Sequence, residues 1–162
     1  MSDFIVCDTG PLISLEKIKD GYNFIRKLYK KILLPYKVLE EVSQSVFSIP
    51  QEYINAYNIQ DLIEVRNPSK SMQLSNIEQL HIAEAQAIAL ALELDCPLLI
   101  EETIGRDIAF SIGLKISGIA GQVIKAYKQK IIDKYEASMK LRELFEGGRI
   151  NQKIYHFLIN SL

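Results

Sequence analysis

The chain reads as an α/β protein, a short parallel sheet with helices on both faces. Short apolar runs rich in β-formers, at residues 4–7, 32–34, 62–66, 98–100 and 115–117, alternate with longer helical patterns. Strands separated by helices pair in parallel and are covered from both sides. Two of the runs also end directly in acids, the first in Asp8 and the fourth in Glu101-Glu102. The carboxyl edge of an open parallel sheet is where ligands and chemistry collect.

The elements follow in order. Phe4-Ile5-Val6-Cys7 is a strand running into Asp8. Thr9-Gly10 reads as a tight turn, and Pro11 opens a helix over 11–18 because the first helical N–H has no intrahelical partner to lose. After Gly21 and Asn23 comes a basic helix through Arg26, Lys27, Lys30 and Lys31. Ile32-Leu33-Leu34, stopped by Pro35, is the second strand, and 36–45 is a helix carrying Glu40 and Glu41. Pro50 starts a helix to Tyr57, residues 62–66 form an edge strand, and 67–71 is a loop. The longest helix is expected over 76–94, with Ser75 and Glu78 as its capping box. Asp95-Cys96-Pro97 ends it before the 98–100 strand. A helix over 103–112 stops at Gly113, a natural C-cap, and a last strand covers 115–117. Helices over 120–130, 133–145 and 151–159 complete a single domain, 1–162, in which 133–162 is a C-terminal helical extension packed on the rest.

Bulk composition bounds the function. At 162 residues with 48% hydrophobic content the chain can bury a substantial core. Nineteen basic and twenty acidic residues give a net charge of −1, so any attraction to nucleic acid must be local. Cys7 and Cys96 sit in apolar runs without metal-ligand spacing and read as reduced core thiols. There is no signal-like N-terminus, and Glu93 and Asp95 interrupt the longest apolar run, so a soluble cytoplasmic protein without a membrane span is expected.

The carboxylates carry the chemistry. On a helical wheel Glu84 falls in the middle of a stripe formed by Ile77, Leu80, Ala87, Ile88 and Ala91, opposite Gln79, Gln86 and Glu93. A buried carboxylate needs a cation, hydrogen bonds or a raised pKa. The two readings are an ion pair, with Arg106 as the candidate partner, and a metal ligand. Asp8 and Glu101-Glu102 share one sheet edge if their strands are neighbours. Of Glu40 and Glu41, the latter lies marginally closer to its helix's apolar stripe. Asp107 is placed either as a support to the site or as a favourable charge near a helix N-terminus. Gathered acids repel unless a cation binds, and oxygen-only ligation suits Mg²⁺ or Mn²⁺ rather than Zn²⁺. A hard divalent ion beside water is the apparatus of phosphodiester hydrolysis. His81 and His156 lack zinc-like spacing, and there is no phosphate-binding glycine loop. Arg26, Lys27, Lys30, Lys31 and Lys37, with Tyr29 and Tyr36 interleaved, form the densest basic run. Lys30, Lys31 and Arg106 are the candidate nucleic-acid contacts; a solvated helix face is the bland alternative for the run. A dehalogenase-type phosphatase would need an Asp where Gly10 stands, and an aspartic protease would be β-rich.

With these residues in view, the chain resembles the PIN-domain nucleases, especially a subgroup opening with a Thr-Gly-Pro-Leu-Ile turn. The matching pieces are Asp8-Thr9-Gly10-Pro11-Leu12-Ile13, Leu34-Pro35-Tyr36-Lys37-Val38-Leu39-Glu40-Glu41-Val42, Ala83-Glu84-Ala85-Gln86-Ala87-Ile88-Ala89-Leu90-Ala91, Leu98-Leu99-Ile100-Glu101-Glu102 and Gly148-Arg149-Ile150. The resemblance implies a three-layer α/β/α fold and an acidic site for Mg²⁺ or Mn²⁺ that hydrolyses RNA. Asp8, Glu41 and Glu84 match the family's first three acids. The fourth, usually Asp, falls on Glu101 or Glu102, one methylene longer. Thr9 matches a hydroxyl that supports the first acid. The resemblance also implies, as expectations, an endoribonuclease that is the toxin of a toxin–antitoxin pair, with RNA, a small antitoxin protein and a second copy of the chain as partners. The alternative is a catalytically weakened PIN-like module that binds RNA or protein.

Overall fold

The computed structural model describes residues 2–70 and 80–162. Its sheet is built around β1 (Ser2–Cys7). On one side lie β2 (Tyr29–Leu34) and then β3 (Ile63–Val65); on the other lie β4 (Leu98–Leu99) and then β5 (Ile116–Ser117). Every pairing is parallel. The central strands are unbroken apolar runs because both their faces are covered: Ile5, Val6, Cys7, Ile32, Leu33, Leu34, Leu98 and Leu99 are at most 3% exposed. Val6 pairs with Leu98 and Cys7 with Leu99, and the ladder continues as the Asp8 N–H donates to the Leu99 carbonyl at 2.9 Å. That register brings the ends of β1 and β4, and so Asp8 and the Glu101-Glu102 pair, to the same edge. The chain reverses its direction of winding between these two strands, the position where open α/β sheets hold their ligands.

The helices are α1 (Thr9–Lys17), α2 (Gly21–Arg26), α3 (Tyr36–Ser43), α4 (Pro50–Tyr57), α5 (Ile82–Leu94), α6 (Thr103–Ser111), α7 (Ile119–Lys128), α8 (Lys134–Glu146) and α9 (Gln152–Asn160). α5 packs on β1 and β4, with α6 beside it against β5; α1, α7 and α8 pack together, and α3 touches both α1 and α5. The result is the expected three-layer α/β/α arrangement. Among the described residues no helix is long and apolar enough to cross a membrane.

Three local expectations need correction. Thr9 and Gly10 are the first two residues of α1 rather than a separate turn, with Asp8 as the extended residue before them. Pro11 is therefore third, where its missing N–H still has no helical acceptor to lose. Lys30 and Lys31 lie on β2 and not on a helix. Tyr29 there is buried, Lys30 exposed and Lys31 half-buried; parallel pairing with β1, which sets Lys31 opposite Phe4 and Ile32 opposite Ile5, overrides the helix-compatible lysines. Finally, α5 begins at Ile82: Leu80 and His81 are not helical. Glu84, at the third helical position, accepts the His81 N–H through Oε1 at 3.3 Å, so the reciprocal start arrangement occurs six residues later than expected. Ser75, Ile77, Glu78 and Gln79 lie outside the described residues.

Candidate active site

Four elements deliver acids to one place. β1 ends at Asp8, β4 runs into Glu101 and Glu102, the first turn of α5 carries Glu84, and α3 carries Glu41. These side chains, with Thr9 and His81, line a cleft of about 360 Å³ at the carboxyl edge of the sheet. An adjoining hollow of about 500 Å³ shares Glu41 and His81. The helix α3 also decides between its two acids: Glu40 is tied to Lys37 at 3.0 Å, while Glu41 faces the cleft.

Asp8 and Glu84 are only 4% and 6% exposed. Asp8 Oδ1, Glu84 Oε2 and Thr9 Oγ1 are buried without a hydrogen-bond partner among the described residues. Orphaned buried oxygens are rare in native proteins because each gives up its hydration uncompensated. Burial pushes the Asp8 pKa up from an ordinary 3.8 to about 6; the Thr9 N–H opposes this, and the charges of Glu41, Glu102 and Glu101 add to it. Burial likewise lifts Glu84 from 4.5 to about 7, helped by the Asp8 charge and by its neighbour Glu102. Glu102 goes the other way. The Gly105 N–H donates to its Oε2 at 2.9 Å as the cap of α6, which holds its pKa below the ordinary value. Two carboxyls pushed up beside one pulled down is the separation expected where acids are crowded into one site.

Glu84 is not half of an ion pair with Arg106. The Arg106 guanidinium instead donates through Nη1 to the Ile100 carbonyl at 2.9 Å. Glu101 is the acid that has found a cation. Arg149 reaches its Oε1 at 3.3 Å, Ser14 Oγ donates to the same oxygen at 2.6 Å, and the Ile119 N–H donates to Oε2 at 2.9 Å. Asp107 is exposed on α6 and does not line the cleft. Lys30 and Lys31 stand at the opposite, amino end of β2, Lys30 beside Asp3 at 3.2 Å and Lys31 on the Asp61 carbonyl at 2.6 Å. None of Lys30, Lys31 and Arg106 lines the cleft. Cys7 and Cys96 are unpaired thiols, as expected, Cys7 within the core.

Three cleft or near-cleft groups were given no role in the sequence reading: His81, set aside for lacking zinc-like spacing, Arg149, quoted only within Gly148-Arg149-Ile150, and Ser14, not singled out at all. His81 had a findable signal, since His81-x-x-Glu84 competes with Ser75-x-x-Glu78 as a helix start. Ser14 and Arg149 are separated by 135 residues and meet only through the fold.

The cleft offers hard carboxylate oxygens, two of them on Asp8 and Glu84 without a partner, and this suits a small divalent cation. Among the described residues no three Asp, Glu, His or Cys side chains close into a group able to hold a metal on their own. The fit is therefore to an ion held by one or two carboxylates that completes its shell with water and substrate, which is the habit of Mg²⁺.

Comparison with known proteins agrees with this geometry. A family model described as DUF3368, PIN domain, matches residues 4–162. No curated protein matches the chain. A match over nearly the whole length, on a parallel α/β/α sheet with acids at its carboxyl edge, places the chain in the PIN-domain family, whose fold is of the nuclease type.

Proposed function

We propose that this protein is a metal-dependent endoribonuclease using Mg²⁺ or Mn²⁺, with its active site in the carboxylate cleft. The observation that carries the reading is the pair of buried, partnerless oxygens on Asp8 and Glu84 at one edge of a PIN-family sheet. In this reading Asp8 and Glu84 hold the ion, and Glu102 is the further acid beside them in the cleft. The bound ion would supply a polarised water and neutralise charge on the scissile phosphate. The His81 N–H orients Glu84 through Oε1 and leaves Oε2 for the ion. Glu41, at the exposed rim, accepts a proton from water, and Thr9 supports Asp8 through its backbone N–H, its hydroxyl having no partner among the described residues. A toxin role, with a small antitoxin as partner, is the biological setting that goes with this activity; growth arrest on expression, relieved by a small neighbouring reading frame, would test it.

The second reading is a PIN-like module that binds RNA or protein with weakened catalysis. It is favoured by one observation, that no ready three-ligand group exists among the described residues. The experiment that separates the readings is thermal unfolding against pH with and without Mn²⁺. Between about pH 4 and 7 folded Asp8 and Glu84 retain protons that the unfolded chain has released. Stability of the metal-free protein must therefore fall as pH rises through that window. Millimolar Mn²⁺ should raise the melting temperature at pH 8 and have little effect at pH 5, where it competes with those protons. Melting curves that ignore Mn²⁺ at both pH values would favour the binding module.

A further inference from the structure

Among the described residues the cleft is lined by five acids and one strong base, Arg149. The residue follows Gly148, whose φ of +74° is in the left-handed region that favours glycine, at the turn leaving α8. Its guanidinium is held from two sides. Nε donates to Ser14 Oγ at 2.8 Å, and Nη2 donates to the Gly10 carbonyl at 3.1 Å and to Glu101 Oε1 at 3.3 Å. Ser14 is fully buried and its hydroxyl donates a hydrogen bond to the same Glu101 oxygen. These bonds fix the plane of the guanidinium, yet none of them uses Nη1. The side chain remains 26% exposed.

An acidic cleft repels a polyanionic strand, so something in it must attract phosphate. We propose that Arg149 binds a phosphodiester oxygen of the RNA strand through Nη1, with Glu101 and Ser14 acting as positioning residues that hold the guanidinium. This rests on the nuclease reading above. It also assigns Glu101 away from the metal: both of its oxygens already accept donors, and ligating an ion would strip those bonds. Glu102, whose Oε2 caps α6 and which otherwise faces Glu84, holds no cation among the described residues and is the freer of the two. An arginine held in plane before the ligand arrives loses little freedom on binding and can face an oxyanion with a rigid set of donors.

The test uses a single-stranded RNA oligonucleotide, binding measured by fluorescence anisotropy in EDTA over a series of salt concentrations, beside Mn²⁺-dependent melting of each variant. Arg149→Ala should weaken binding by about tenfold or more, the usual worth of a hydrogen bond to a charged group. It should flatten the log–log salt dependence by about 0.7, the value of one phosphate contact to a single strand, and leave the Mn²⁺ shift intact. Ser14→Ala should give a smaller loss in the same direction. The Lys30→Glu/Lys31→Glu double variant, at the other sheet edge, should cost less than Arg149→Ala. Wild-type affinity and slope in Arg149→Ala would overturn the proposal while leaving the nuclease reading standing. So would a loss of binding accompanied by a metal-free melting temperature several degrees lower, which would make Arg149 a fold clamp. A wild type that neither binds RNA nor responds to Mn²⁺ would sink both.

Discussion

Glu84→Gln should raise the melting temperature of the metal-free protein at pH 8 and at the same time remove metal-dependent cleavage. The two effects share one cause. Glu84 carries a carboxyl whose pKa is pushed up to about 7, so at pH 8 the fold has to hold it ionised while buried next to Asp8. Glutamine keeps the shape and the acceptor for the His81 N–H but carries no charge. It also ends the repulsion between the two carboxyls, since the Asp8 charge is one of the causes that push Glu84 up. A gain of even 1 kcal/mol would shift the midpoint of a domain this size by about 2–4 °C. Activity should fall on the order of a thousandfold, because an amide is a poor ligand for a hard cation and the site would lose several kcal/mol of charge stabilisation. The raised midpoint should be clear at pH 8 and disappear at pH 5, where wild-type Glu84 is already protonated. A variant that is less stable than wild type at pH 8 would mean that Glu84 is a satisfied structural acid, and one that cleaves normally would remove it from the site.

Glu84 is also the part of the site that the sequence made most legible. A carboxylate centred in an apolar helical stripe predicts its own burial, and the residue is 6% exposed. Asp8 and Glu101-Glu102 were legible for a related reason, since an unbroken apolar run ending in an acid marks a covered parallel strand and its carboxyl edge. What periodicity could not show was how the acids divide their work. Glu101 and Glu102 are adjacent and chemically identical, and they differ because Glu101 meets Ser14, Arg149 and the N-terminus of α7, contacts made across 87, 48 and 18 residues of chain. The same limit misplaced the lysines. Lys30 and Lys31 fit a helix by propensity, and only pairing of β2 with β1 and β3 makes them strand residues. The misjudged start of α5 is a competition between two similar signals, settled where Glu84 turns back onto the His81 N–H.

Gly105→Ala should destabilise the protein and blunt its Mn²⁺ response, against the direction that helix propensity alone would give. Gly105 is the third residue of α6, where alanine would ordinarily gain up to about 1 kcal/mol over glycine. Here a methyl group would lie 2.7 Å from Glu84 Oε2 and 2.7 Å from Ile100 Cδ1. Ile100 is completely buried between the layers and has little room to give. The carboxylate must move instead, and it is the partnerless oxygen, the one assigned to the ion, that is displaced. Overpacking of this kind costs about 1–3 kcal/mol, which corresponds to a midpoint lowered by roughly 2–12 °C at this chain length. Gly10→Ala is the control. Gly10 is also helical and lines the same cleft, but its nearest new contact would be at an ordinary 3.6 Å, so its midpoint should stay within about 2 °C of wild type. If Gly105→Ala melts at or above wild type with its Mn²⁺ shift intact, Glu84 Oε2 does not rest against α6 in solution. The case for that oxygen as the ion's ligand would then fall, whatever the behaviour of Asp8.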